Sequence, residues 1–189
     1  MADTDKARYK VFIKATAEQV WHEISKQGDL QAAMFNNYLD VLEFKAGQPF
    51  RMLSKSRAFV GVIGQILEVD PPHRYRHTMA FTSIDEPAVT VTHSITPVAG
   101  GVEYEMALDG LVAGSKSAKQ MSSGMKLIAN TLKSLAETGK PGLGVRLLYV
   151  IFALTERFSP AALRAEHWPL EKIQQNLNTQ AETAERDND

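Results

Sequence analysis

Two histidines and two tyrosines are the residues of this chain best placed to do chemistry. His77 and Tyr75 lie in one short alternating segment, His93 in the next and Tyr104 in the third. Alternation of apolar and polar residues marks strands with one buried face, and the connections between these segments are too short for anything but antiparallel pairing. Centring the first loop on Asp85 sets Phe81 opposite Val89, Met79 opposite Val91, His77 opposite His93 and Tyr75 opposite Ile95. A second turn between Ala99 and Gly100 sets Ile95 beside Tyr104, His93 beside Met106 and Val91 beside Leu108. One face is then apolar across all three strands and carries both imidazoles. The other carries Arg74, Arg76, Ser94, Thr96, Glu103 and Glu105, a charge-alternating wet face. A slip of one residue would exchange the faces, so the agreement of three strands supports the pairing.

A buried pair of imidazoles can orient a carbonyl or phenol, or act as acid and base; it can equally be a pair of core rings satisfied by backbone or water. Two histidines without a third ligand fall short of a metal site, and no metal or other cofactor is expected. Tyr75 and Tyr104 add hydroxyls that either meet a ligand or keep a wet tip. HExxH, G-x-S-x-G and GxGxxG patterns are missing, and the glycines of Gly110 to Gly114 have the wrong spacing for a phosphate loop.

The element that must cover the apolar face is Ser117 to Glu137. Met121, Met125, Ile128, Leu132 and Leu135 recur at steps of four and three, one stripe of a helix that Gly139 and Pro141 terminate. Tyr9, Val11 and Ile13 alternate in a first strand from Arg8 to Lys14. Thr16 and Gln19 form a capping box for a helix carrying Val20, Trp21 and Ile24. Asp29 is expected to cap a second short helix, Leu30 to Phe35. Strands are expected at Val41 to Lys45, Phe50 to Ser54 and Phe59 to Val69, the last with bulges marked by Gly61 and Gly64.

In order and spacing, VFIKATAEQVWHEIS, GQILEVDPPHRYRHTM, VTVTHSITPVAGGVEYEMALDGL and SGMKLIANTLKSLAETG resemble the Hsp90-ATPase-activator-like (AHSA1) branch of the START/Bet v1 superfamily. The resemblance covers about residues 8 to 139. It implies an α+β helix-grip fold: an antiparallel sheet of about six or seven strands wrapped around a long C-terminal helix, with an apolar cavity between them. It does not imply one activity. Carriage of a small hydrophobic or amphipathic ligand, a polyketide cyclase or dehydratase reaction using His77 and His93, and activation of an Hsp90-type chaperone ATPase all occur among such proteins. Where the family often has Gly-Trp in the long helix, this chain has Gly124-Met125, and Met34-Phe35 stand where the family's aromatic before the second strand, often Trp, is usual. Both changes point to a roomier, more adaptable pocket. The expected wall is Tyr75, His77, Met79, Phe81, Val91, His93, Tyr104, Met106, Met121, Met125 and Ile128.

The grip domain is expected over residues 1–139, with a helical extension over 140–189. Leu143 to Phe158 is apolar nearly all round, so it needs cover: its own domain, a second copy in a homodimer, or a membrane surface. It is too short to span a bilayer. Trp168, Leu170, Ile173 and Leu177 suggest one more short helix with Pro169 in its first turn, and Thr179 to Asp189 a polar tail. The net charge of -1 gives no basic field for nucleic acid or anionic lipid, so neither partner is expected. Zero cysteines and an N-terminus, MADTDKARYK, without an apolar run read as a cytoplasmic protein.

Overall fold

In the computed structural model, residues 4–175 are described, and the strands run in the spatial order β1-β8-β7-β6-β5-β4-β3-β2 of one antiparallel sheet. The strands are β1 (Thr4–Ile13), β2 (Leu30–Gln31), β3 (Asn37–Val41), β4 (Pro49–Leu53), β5 (Val60–Asp70), β6 (Arg74–Phe81), β7 (Val89–Val98) and β8 (Gly101–Val112). The sheet curls around the long helix α2 (Lys116–Thr138), with α1 (Ala17–Ser25) inserted after β1 and α3 (Leu143–Thr155) following α2. This is the helix-grip architecture, with eight strands rather than six or seven.

Each main element follows from local chemistry. The Thr16 hydroxyl accepts from the Gln19 amide while the Gln19 side chain accepts from the Thr16 amide, so the capping box forms and α1 buries Ala17, Val20 and Ile24. Helix α2 starts at the Ser115 cap. It is also held by Glu86, whose carboxylate accepts from the Lys116 and Ser117 amides and from the Ser117 hydroxyl. Those bonds at the positive helix end pull the Glu86 carboxyl below its usual range, the Ser117 hydroxyl contributing most. Gly139 ends the helix at φ 75, where a side chain would be strained. At this end the Lys14 amide donates to Glu137 at 2.8 Å and the Lys133 ammonium to the Phe12 carbonyl at 2.7 Å, fastening α2 to β1.

The register of β7 and β8 is the expected one, with His93 opposite Met106 and Ile95 opposite Tyr104. That of β6 and β7 is displaced by two residues: Tyr75, not His77, lies opposite His93, and His77 lies opposite Val91. Phe81 pairs with Val62 on β5 instead of crossing to Val89, and Thr82 ties back to Gly61 and Val60. The loop therefore turns about Ile84, with Glu86 drawn away to α2. An even slip keeps every side chain on its face, which is why the imidazoles still point inward. On the outer face Arg74 and Arg76 pair with Glu68, and Arg8 and Lys10 with Glu103 and Glu105.

Two other local expectations are overturned. Residues 30–35 are not a helix: Leu30–Gln31 pairs with β3, and Phe35 and Asn36 sit at φ 56 and 59, a left-handed pair no α-helix contains. The strand expected at Val41 to Lys45 ends at Val41 and begins earlier, at Asn37. The expected short helix beginning beside Pro169 is present from 170, with Trp168 just before it, while Leu177 and the tail from Thr179 lie outside the described residues. Of the two glycines expected at bulges, Gly61 marks irregular pairing and Gly64 does not, since the β5–β6 shift falls between Ile66 and Glu68. The β4–β5 register shifts beside Gly61, and a Cβ on Gly64 would collide with the Thr78 carbonyl and approach the Phe50 ring at 2.7 Å.

The helix from Leu143 ends at Thr155 and continues as a 3-10 turn to Phe158. Beyond it the chain returns to the sheet. Arg51 donates to the Ala165 and Trp168 carbonyls, the Ala165 amide donates to Ala58, and Leu170 and Ile173 are buried. Among the described residues no helix is long and apolar enough to cross a membrane.

Candidate functional site

Between the sheet and α2 lies a cavity of about 490 Å³, within the range of small-molecule sites. Tyr75, His77, Met79 and Phe81 of β6, His93 of β7, Met106 of β8, and Met121, Met125 and Ile128 of α2 all face it. Val91 and Tyr104, expected on the wall, are fully buried behind it and do not reach the cavity. They belong to the packed layer under the wall, which a strand pattern cannot separate from the wall itself, because parity gives the face and not the depth.

The imidazoles meet diagonally across β6 and β7. His77 Nε2 and His93 Nε2 are 3.2 Å apart, His93 Nδ1 is 2.6 Å from the Tyr104 hydroxyl, and His77 Nδ1 is 2.9 Å from the Thr78 carbonyl. Burial holds both rings neutral, His77 down to about 4 and His93 well below its ordinary value, with the neighbouring His77 charge adding to the second. Neutrality and connectivity then assign every proton. A carbonyl only accepts, so His77 carries its proton on Nδ1 and offers a lone pair at Nε2. His93 must donate there from Nε2, which leaves its Nδ1 to accept from Tyr104. Donation runs one way: Tyr104 to His93, His93 to His77, His77 to Thr78.

This chain of bonds rests on β5, because only the missing Cβ of Gly64 lets the Thr78 carbonyl lie where it receives His77. The rings also stack. Tyr75 lies over His77 at 4.8 Å and over His93 at 5.4 Å, and Phe50 meets His77 edge-on at 5.2 Å. Burial raises the Tyr75 and Tyr104 hydroxyls above their usual range. What the wall offers the cavity is thus a shelf of neutral aromatic rings with their ring nitrogens already engaged.

Several wall residues were not foreseen. Gln31, Met34 and Phe35 come from the segment expected to be helical, and Gly124 from α2, where the Phe35 ring fills the space a Cβ would take, 3.3 Å away. Met34-Phe35 and Gly124-Met125 are two separate departures from the family pattern in the sequence, and the left-handed turn at Phe35 accompanies their meeting in the structure. The larger omission is α3. Tyr149, Phe152 and Ala153 lie over the cavity, and the Tyr149 hydroxyl donates to the Ala32 carbonyl. Burial pushes that hydroxyl up to about 12. The other face of α3 is uncovered, with Leu143 81 % and Leu147 63 % exposed. Among the described residues no group of three or more His, Asp or Glu could hold a metal ion.

The sequence matches the family model described as Activator of Hsp90 ATPase homolog 1-like protein over residues 14–137. No curated protein sequence matches the chain. Among solved structures, protein CV1439 from Chromobacterium violaceum is 20 % identical with a TM-score of 0.54, covering 70 % of this chain and 96 % of that one. The Aha1 dimer from Colwellia psychrerythraea is 11 % identical with a TM-score of 0.57, covering 72 % and 98 %. CalU16 from Micromonospora echinospora is 14 % identical with a TM-score of 0.55, covering 79 % and 83 %. At these identities the likeness is one of fold.

Proposed function

Because the chain belongs to the Activator of Hsp90 ATPase homolog 1-like family, whose fold hosts many activities, we propose its function from the cavity: it binds a small hydrophobic or amphipathic molecule between the sheet and α2, under α3. The observation that carries this reading is the roofed cavity of about 490 Å³ with an apolar and aromatic wall. Such a hollow is large enough for a small molecule, and burial of apolar ligand surface recovers roughly 25 cal/mol for each Å² covered. The Met residues of the wall can adapt to more than one ligand shape. The experiment is titration with the neutral fluorophore N-phenyl-1-naphthylamine. Saturable binding with a blue-shifted emission, lost when Met125→Trp fills the cavity, supports the reading; binding unaffected by Met125→Trp contradicts it.

An acid–base reaction through His77 and His93 is less well supported. Both nitrogens of each ring are engaged, so neither ring presents a free base to a ligand. The family description also invites a chaperone partner, and stimulation of a chaperone ATPase by Met125→Trp protein, its cavity filled, would favour that alternative.

The uncovered face of Leu143 to Phe158 is best explained by a second copy of the chain. Leu143, Leu147, Val150, Ile151, Leu154 and Phe158 are all exposed, and together they present several hundred Å² of apolar surface, on the order of one side of a stable interface. Leu147→Glu with Leu154→Glu should then convert a dimer to a monomer in light scattering; an unchanged mass would rule the interface out.

A further inference from the structure

Two buried residues of the cavity wall, Tyr75 and Gln31, each carry a side-chain oxygen for which the described residues supply no partner. Tyr75 is 3 % exposed, yet its hydroxyl makes no hydrogen bond among the described residues. Its ring faces are taken by His77, His93 and Phe44, so the cavity meets the ring by its edge. Gln31 is 1 % exposed and spends its amide N–H groups on the Ile24 and Lys26 carbonyls, which fixes which end is oxygen and leaves Oε1 free to accept. The buried side-chain oxygens that are both sealed and without a hydrogen bond are Asp109 Oδ1 and Thr131 Oγ1. Neither the Tyr75 hydroxyl nor Gln31 Oε1 is among them, and both residues line the cavity.

Once a ligand displaces water from the cavity, each of these groups would cost about 1–3 kcal/mol if left unpaired, so the ligand itself is expected to supply the partner. The partner's chemistry is constrained from both sides. The Tyr75 O–H needs an acceptor, and the Gln31 carbonyl needs a donor. The charged residues of the wall are Lys55 and Glu156, with the imidazoles neutral. Lys55 is exposed and Glu156 accepts from Ser56 at 2.7 Å, so neither serves the buried end. An ionised head group would enter that end with no opposite charge to meet it, at a desolvation cost the site does not offset.

We propose that the ligand is a neutral amphiphile bound head inward, whose hydroxyl group accepts from Tyr75, while its apolar tail runs under α3. This rests on the cavity being the binding site. It makes Tyr75 a specificity residue and assigns the ligand to the long-chain alcohols or alkyl phenols rather than to fatty acids or phospholipid head groups.

The test displaces N-phenyl-1-naphthylamine with 1-dodecanol, 1-chlorododecane or dodecanoate at pH 8. Tyr75→Phe should weaken dodecanol about three- to tenfold, the worth of one net hydrogen bond, and leave chlorododecane unchanged. In the unmutated protein labelled with ¹³C at tyrosine Cζ, dodecanol should shift the Tyr75 resonance and chlorododecane should not, which keeps the test valid if the variant does not fold. Equal weakening of both ligands, no Tyr75 shift with dodecanol, or dodecanoate binding as tightly as dodecanol would overturn the proposal while leaving the cavity itself in place. Failure of the fluorophore and all three competitors to bind would instead remove the cavity reading, and this one with it.

Discussion

Helices α2 and α3 lie against the same cavity and are built on opposite terms. Met121, Met125, Ile128, Ala129 and Leu132 of α2 are buried against the curled sheet, and the helix is capped by a side chain at one end and a left-handed glycine at the other. Helix α3 has no buried residue and no side-chain cap, and its contact with the grip domain includes the bond from Tyr149 to Ala32. The first is part of the fold's core. The second is a strap between the Gly139 to Gly142 link and the segment that Arg51 and Ala58 hold to the sheet. What the contrast teaches is a division of labour, in which α2 makes the cavity and α3 decides how closed it is.

The largest effect that should separate the two helices is in core truncation. Leu132→Ala should cost about 2–5 kcal/mol in urea unfolding, because it empties a fully buried site. Leu147→Ala, measured at a concentration where the chain is monomeric, should stay within about 0.5 kcal/mol. Equal losses would mean that α3 is core as well.

Acid should act on the α2 side. Both buried imidazoles have folded pKa values below the unfolded value of about 6.5, so the unfolded chain binds more protons and stability falls as pH drops. The loss starts near pH 6.5 and grows toward pH 4, by up to about 1.4 kcal/mol per pH unit for each imidazole. Unfolding midpoints from pH 7.5 to 4 should show that slope, and it should flatten in His77→Phe, which removes one of the titrating rings.

Tyr149→Phe deletes the bond to Ala32 and should speed hydrogen exchange in Leu143–Thr155 about two- to tenfold, as the loss of about one net hydrogen bond implies, with α2 unchanged. Acceleration in both helices would show that the strap and the core open together. The smallest effect is expected at the rim of α2: Lys133→Met removes a half-exposed donor to Phe12 and Glu137 and should move Tm by only about 1–2 °C.

The two helices also differ in how far their sequences disclose them. A stripe at steps of four and three states both that Ser117 to Glu137 is a helix and which side it buries, and α2 follows that statement closely. Leu143 to Phe158 is apolar on every side, so periodicity gives a helix without a direction, and the face that Tyr149 and Phe152 turn to the cavity carries no mark of its own. The inner face of the meander, with its two imidazoles together, is readable because parity survives a two-residue slip, whereas the register that sets Tyr75 rather than His77 opposite His93 is not. The register depends on where the loop turns, and Glu86 of that loop is held by the distant start of α2, a contact that local sequence does not announce. The segment from Leu30 to Phe35 misled for a related reason. Its helix-like spacing is overruled by Gln31, whose carbonyl and amide organise a turn with two left-handed residues.

The central claim is that the hollow between α2 and the sheet holds a molecule. Native mass spectrometry of the protein as purified, beside Met125→Trp with an equal thermal midpoint, puts it to the most direct test. The account predicts a discrete added mass on the first, released on denaturation, and none on the second. A bare mass for both after exposure to saturating dodecanol, or the same adduct on both, would contradict it.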